Sequence, residues 1–329
     1  MKLATLRNGS RDGALVVVSR DLFRAVSAAA VAPNLLTAFE NWSQCEPRLR
    51  ALFDDLEAGC ARGAFAFDQA AALSPLPRSF QWIDGSCFKN HLRLMALATG
   101  RDPEPEMNSP HPLMYQGMSD DFYAPRGDVA LPREEDFIDF EGEVGIIIDE
   151  APMGTRADEA DRYVKLVLLI NDVSCRAFVK REISLGFGWM HAKASTTFSP
   201  VAVTPDELGD KWDGRVHLPL RVERNGTLFG QPDASQMSFS FYQLIEHAAH
   251  TRKLAAGTII GSGTVSNVEY QSVGSACIAE RRSIEAIEQG GAKTPWLKFG
   301  ERVRMEMIDP QGRSIFGAID QQIVRYARP

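Results

Sequence analysis

Glu141, Gly142 and Glu143 stand inside the run Ile138-Asp-Phe-Glu-Gly-Glu-Val-Gly-Ile-Ile-Ile148, where apolar residues flank two acids. Side chains two apart on a strand share a face. Both carboxylates therefore enter one small space, where repulsion and desolvation favour a cation between them. A third acid, Asp172, closes a second apolar run, Tyr163-Val-Lys-Leu-Val-Leu-Leu-Ile-Asn-Asp172. Three carboxylates from two strand ends form an oxygen-ligand set for a hard divalent ion, Mg²⁺, Ca²⁺ or Mn²⁺. Acids on the open face of an antiparallel sheet are ordinarily just solvated. Val144 to Ile148 is continuously apolar rather than alternating, however, which predicts a strand covered on both faces whose acids need a partner.

Around these runs the chain is rich in strands. Leu3 to Leu6, the turn residues Asn8-Gly9-Ser10 and Asp12-Gly13, and Ala14 to Ser19 predict an opening hairpin. Apolar residues at helical spacing predict helices over Asn34 to Ser43 and Glu46 to Arg62. The proline-broken stretch Leu73-Ser-Pro-Leu-Pro-Arg78 marks a boundary, giving a small N-terminal domain over 1–74 and a main domain over 75–329. The main domain opens with a predicted helix from Ser86 to Ala98 that carries His91, followed by a proline-rich loop from Pro103 to Pro112. Strands are expected at Val216 to Val222, Thr258 to Gly261 and Val303 to Ile308, with a closing hairpin through Pro310-Gln-Gly312 into Ser314-Ile-Phe-Gly317.

Composition narrows the function classes. The chain has 329 residues, a formal net charge of −7, 24% charged and 44% hydrophobic residues. The acidic balance argues against a nucleic-acid partner. No apolar stretch approaches the roughly 20 residues of a membrane helix, and Met1-Lys-Leu-Ala-Thr-Leu-Arg7 lacks the apolar block of a signal peptide, so the expected compartment is cytoplasmic. The five cysteines are scattered without a Cys-x-x-Cys pair, which predicts reduced, mostly buried thiols. His247 and His250 share a predicted helical face without a third ligand nearby. Neither a phosphate loop nor a Gly-x-Gly-x-x-Gly turn is present to hold a nucleotide.

Five motifs then carry a resemblance: Asp121-Phe-Tyr123 with Ala130-Leu-Pro132, Phe140-Glu-Gly-Glu-Val144, Leu169-Ile-Asn-Asp-Val-Ser-Cys-Arg176, His191-Ala-Lys193 with Phe198-Ser-Pro200, and Ile260-Gly-Ser-Gly-Thr-Val-Ser266. In this order the chain resembles the fumarylacetoacetate hydrolase family from about Pro75 to Arg328. The resemblance implies an α+β, mainly β fold, a mixed β-roll around a divalent metal with a small β-rich N-terminal domain, and a homodimer acting on a small keto acid. It implies Glu141, Glu143 and Asp172 as metal ligands, with Asp121 matching a fourth. It further implies Lys193 as an active-site lysine, Arg176 as a residue near the substrate or supporting the residues that touch it, Tyr123 as a substrate-contacting tyrosine and Thr264 as the hydroxyl that holds a substrate carboxylate. His91 occupies the position of a lid-helix histidine that serves as base. The partner position one turn later holds Leu94, so no carboxylate is expected to orient the imidazole; Glu280 is the nearest alternative, although the simplest alignment puts Ile278 there. The activity implied is hydrolysis of a carbon–carbon bond in a β-diketo acid such as fumarylacetoacetate or an acylpyruvate, in the breakdown of aromatic amino acids or other aromatic compounds; the alternatives are a 2-oxo acid hydratase, decarboxylase or tautomerase, and a catalytically impaired family member that binds metal and a keto acid.

Overall fold

The computed structural model describes residues 1–328. Its centre is the antiparallel pair Gly142–Ile148 and Val164–Asn171, with Gly142 opposite Asn171 and Glu143 opposite Ile170. Both strands are buried almost throughout. Val144, Ile146 and Ile148 enter one apolar cluster while Ile147 enters another, so the strand is covered on both faces as its unbroken hydrophobicity predicts. Gly145 is required here, because a Cβ would come within 2.6 Å of the Ile170 side chain and 3.0 Å of the Ile260 carbonyl.

Twelve strands make one mixed sheet around this pair. On one side Ile259–Gly261 pairs with Gly142–Ile148 and runs parallel to Trp82–Gly85, which pairs in turn with Met114–Gly117. On the other side the sheet continues through Ala202–Val203 into the opening hairpin, whose strands Lys2–Leu6 and Ala14–Val18 pair antiparallel. The helix Trp42–Glu57 packs Trp42, Leu49, Phe53 and Leu56 into the cluster below the hairpin. A separate five-stranded sheet contains Leu220–Arg224, Arg302–Met307 and Ile319–Arg325. The result is an α+β fold with a mixed sheet.

Several boundaries differ from expectation. The His91 helix is Lys89–Ala98, and a short helix, Glu104–Met107, interrupts the proline-rich loop. After the turn at Pro310 to Gly312 only an isolated bridge, Ile308 to Ser314, forms; the closing strand starts at Ile319. The helix Phe241–Ala248 ends before His250, so His247 and His250 do not share a helical face. No helix among the described residues is long and apolar enough to cross a membrane.

Candidate active site

Three buried carboxylates meet where the central strands end. Oxygens of Asp84, Glu143 and Asp172 lie within 4.8 Å of one another. Glu143 comes from the central strand, Asp172 follows its partner strand, and Asp84 comes from Trp82–Gly85. Asp84 is the ligand candidate that the motif reading missed. Its signal was present: an acid inside the short apolar strand Trp82-Ile-Asp-Gly85 poses the same question as Glu143. Asp84 accepts the N–H of Gly263 at 3.1 Å, and a Cβ on Gly261 would fall 2.4 Å from its Oδ1.

These acids are short of partners. Neither oxygen of Glu143 has a hydrogen-bond partner. Burial, then the Asp84 and Asp172 charges, push the Glu143 carboxyl well above its ordinary range. Burial and then Asp172 raise Asp84 to about 8. The Lys193 charge on Asp172 offsets this repulsion only in part, and a divalent ion among the three carboxylates would offset the rest. The all-oxygen donor set, with two orphaned oxygens, fits such an ion.

Asp172 is the best supported of the three. Its Oδ2 accepts from the Tyr115 hydroxyl at 2.5 Å and its Oδ1 from Thr196 at 2.8 Å. Tyr115 sits opposite Asp84 in the antiparallel pair, a long-range placement that no local pattern announced.

Glu141 is placed differently from its neighbour two residues on. It lies at the edge of the carboxylate cluster, bridged to Asp172 by the Lys193 ammonium, which contacts both. Arg176 Nη2 reaches Glu141 Oε1 at 2.6 Å, Thr264 Oγ1 donates to the same oxygen at 3.0 Å, and Ser174 donates to Oε2 at 3.1 Å. Burial alone would raise the Glu141 carboxyl, but Arg176 and Lys193 outweigh it and hold it well below its ordinary value. Burial would likewise lower Lys193, yet Asp172 and Glu141 outweigh it and keep the ammonium charged.

Arg176 owes its position to Asp139, which accepts from its Nε at 2.8 Å. The same carboxylate accepts the N–H groups of Ile278 and Ala279 at the start of the helix Ile278–Gln289. That helix packs against Lys89–Ala98 and brings Glu280 to His91, Oε2 to Nδ1 at 2.8 Å. The imidazole thus has a carboxylate partner, and it is Glu280, the nearest candidate in the sequence, rather than a residue one turn along its own helix. Leu94 is buried in the packing, and the partner arrives from a helix 189 residues away in the chain. Asn90 anchors the helix by donating to Ser266 Oγ and to the Asn267 carbonyl.

Lys193 is carried by a loop whose fold depends on Glu182. This buried carboxylate accepts the N–H groups of Met190 at 3.0 Å, His191 at 2.8 Å and Ala192 at 3.1 Å. Glu182 had no signal in the sequence. The intervening segment turns at Gly186 and Gly188, both at positive φ, and leaves Phe187 fully exposed. Trp189 stands edge-on to Tyr115 at 6.1 Å. Both aromatics border a groove of about 910 Å³ that runs along Leu113, Met114 and Tyr115.

Two expected site residues are not brought to the cluster. Asp121 is exposed and absent from the group of converging carboxylates, where Asp84 stands instead. The Tyr123 hydroxyl donates to the Ala130 carbonyl at 3.0 Å, so it is spent within its own loop.

A family model described as fumarylacetoacetate (FAA) hydrolase C-terminal matches residues 81–324, and one described as fumarylacetoacetase N-terminal domain 2 matches residues 1–78. The 2,4-didehydro-3-deoxy-L-rhamnonate hydrolase of Sphingomonas sp. (strain SKA58) is 33% identical over 156 residues, 46% of this chain and 52% of that protein. The oxaloacetate tautomerase YisK of Bacillus subtilis (strain 168) is 28% identical over 62% of this chain and 65% of its own length. The matches thus span only about half to two thirds of these relatives. Among solved structures, maleylpyruvate hydrolase from Sphingobium sp. SYK-6, in complex with manganese (II) ion and pyruvate, superposes with a TM-score of 0.66 at 16% identity, covering 99% of this chain and 100% of that one. At that identity the likeness speaks for the fold.

Proposed function

Because the chain belongs to the fumarylacetoacetate hydrolase family, we propose that it is a divalent-metal-dependent hydrolase that cleaves a carbon–carbon bond in a β-diketo acid such as an acylpyruvate or fumarylacetoacetate. The observation that carries this reading is the His91–Glu280 pair beside Glu141. Hydrolysis needs a base for water, and an imidazole backed by a buried carboxylate is one.

Asp84, Glu143 and Asp172 would hold the ion, with Glu141 alongside. A divalent ion held there would supply Lewis-acid polarisation of a 2-oxo acid carbonyl. With its Nδ1–H donated to Glu280, His91 takes a proton from water through Nε2 as the water oxygen attacks the acyl carbonyl. The carbon–carbon bond then breaks: the acyl part leaves as a carboxylic acid, and the pyruvate part as an enolate whose carbon recovers the proton from His91. Lys193 supplies fixed positive charge to that enolate. Lys193 and Thr264 are the donors proposed to hold the substrate carboxylate. Arg176, tied to Asp139 and Glu141, orients Glu141 rather than reaching for substrate. The acyl group extends into the groove beside Tyr115 and Trp189.

A second reading, a tautomerase of a 2-oxo diacid, draws support from the same pair, which can move a proton between carbon and oxygen without water attack, and from the tautomerase among the relatives. Purified protein incubated with Mn²⁺ or Mg²⁺ and fumarylacetoacetate, acylpyruvates or oxaloacetate separates the two by enol absorbance and product identification. Cleaved acids are expected. Enol–keto interconversion without cleavage would replace the hydrolase with the tautomerase. Glu280→Gln should lower turnover by roughly a hundredfold or more while divalent-ion affinity measured by calorimetry stays the same.

A further inference from the structure

The helix Lys89–Ala98 carries His91, yet Phe88 at its N-cap position offers no side-chain hydrogen bond to the first turn. Lys89 reaches only the Met107 carbonyl, in the short helix that follows, and, at 3.4 Å, Ser238 Oγ. Asn90 makes the contact that points toward the site. Its amide nitrogen donates to Ser266 Oγ at 2.9 Å and to the Asn267 carbonyl at 2.6 Å, and all three residues are buried. Arg93 Nη2 donates to Asn90 Oδ1 at 2.8 Å, so the oxygen faces a guanidinium while the nitrogen faces a carbonyl. A side-chain amide meets both demands. A carboxylate there would repel the Asn267 carbonyl, and an apolar side chain would leave it without this donor.

Ser266 and Asn267 belong to the loop that follows Ile259–Gly261 and carries Thr264. That loop is fixed without help from the helix. The Ser262 N–H donates to the Val144 carbonyl at 2.9 Å, the Val265 N–H to the Gly142 carbonyl at 3.0 Å and the Gly263 N–H to Asp84 Oδ1 at 3.1 Å. Asn267 also accepts the Asp233 N–H at 2.6 Å and donates to the Asp233 carbonyl at 2.7 Å. The loop is thus bound to the central strand and to Asp233, whereas the first turn of the helix is bound to the loop through Asn90. Thr264 stays in place when Asn90 is lost; His91, the next residue along, is left with its bond to Glu280.

We propose that Asn90 is a positioning residue, which holds the base His91 at a fixed distance from Thr264 and the substrate carboxylate it binds, and so acts on proton transfer and not on substrate binding. A single hydrogen bond to Glu280 orients the imidazole, and the Asn90 bonds set where its helix stands over the substrate. This inference rests on the roles given to His91 and Thr264 above.

Asn90→Ala in the full-length protein with saturating Mn²⁺ should lower kcat for acylpyruvate cleavage by roughly ten- to a hundredfold, while KM and Mn²⁺ affinity stay the same. Asn90→Asp should do likewise, although its shape is unchanged. Ser266→Ala removes one acceptor of two and should cost kcat roughly two- to tenfold; added to Asn90→Ala it should cost nothing more. A second measurement does not need turnover. In protein labelled with nitrogen-15 histidine, the His91 Nδ1–H held by buried Glu280 should give a far-downfield proton signal, lost in Glu280→Gln and broadened or lost in Asn90→Ala. Circular dichroism checks folding, and Ser266→Ala with the same signal decides the matter if the Asn90 variants do not fold. An unchanged signal, a loss carried by KM rather than kcat, or an additive effect of Ser266→Ala overturns the proposal. If the unaltered protein cleaves no acylpyruvate, the proposed function falls, and the imidazole signal still decides whether Asn90 holds His91.

Discussion

Lys2 and Glu143 are both buried charged residues of one sheet, and their surroundings are opposite. Lys2 is 2% exposed, and its ammonium donates to the Ile315 carbonyl at 2.5 Å and the Ser314 carbonyl at 3.3 Å. The small cavity it borders, about 140 Å³, mixes signs: Arg20 pairs with Glu207, and Arg313 with Asp309. Glu143 is fully buried, lacks a hydrogen-bond partner and faces two more acids. A buried charge that serves the fold is met by its neighbours; one left short of partners beside like charges is held for something that binds.

The largest test of that contrast is Glu143→Gln. It removes one of three converging carboxylates, so divalent-ion binding and turnover should fall together, turnover by roughly a thousandfold. Stability should move the other way in the absence of metal. The amide relieves a buried like-charge cluster, and thermal unfolding in EDTA should shift upward by roughly 2–4 °C for each kcal/mol relieved. Manganese should stabilise the unaltered protein and leave the variant nearly unchanged. A lower melting temperature for the variant in EDTA would show that Glu143 has a partner after all.

Glu182 is the satisfied acid to set against Glu143. Burial would raise its carboxyl, but three backbone N–H donors outweigh that and hold it below its ordinary value. Its work is positional, since it fixes the residues just before Lys193. Glu182→Gln should therefore leave divalent-ion affinity unchanged and lower kcat by roughly ten- to a hundredfold. Limited proteolysis between Gly186 and Met190 should speed up in parallel. Loss of metal affinity in this variant would mean that the loop and the carboxylates are one unit rather than two.

The same contrast explains what the sequence shows. Glu143 and Asp172 are legible because a charge inside an apolar run needs a reason, and strand periodicity gives its direction. Asp84 obeys that rule and was missed only because its strand is four residues long. The partners acting at long range are different. Tyr115 reaches Asp172 across 57 residues and Glu280 reaches His91 across 189, and neither position carries a local pattern that names its contact. Asp121 shows the converse: a motif match fixed its identity, while the loop that bears it turns its side chain to solvent. The opening hairpin and the doubly covered central strand follow from turn residues and periodicity, which are local, so they were readable.

Lys2→Met gives the smallest effect and tests the structural side of the contrast. Burial lowers the Lys2 pKa from 10.5 to about 8, against the pull of Glu207. Between these values the unfolded chain holds the proton and the folded chain does not, so stability contributed by this group rises as pH increases from about 8 to about 10.5. The full swing is roughly 3 kcal/mol as an upper bound. Denaturant unfolding of the two proteins across that range should therefore show their stability difference moving in favour of lysine as pH rises, while turnover stays the same. A difference that does not change with pH would mean that Lys2 remains charged in the fold, held by the two carbonyls and the Glu207 field strongly enough to offset its burial.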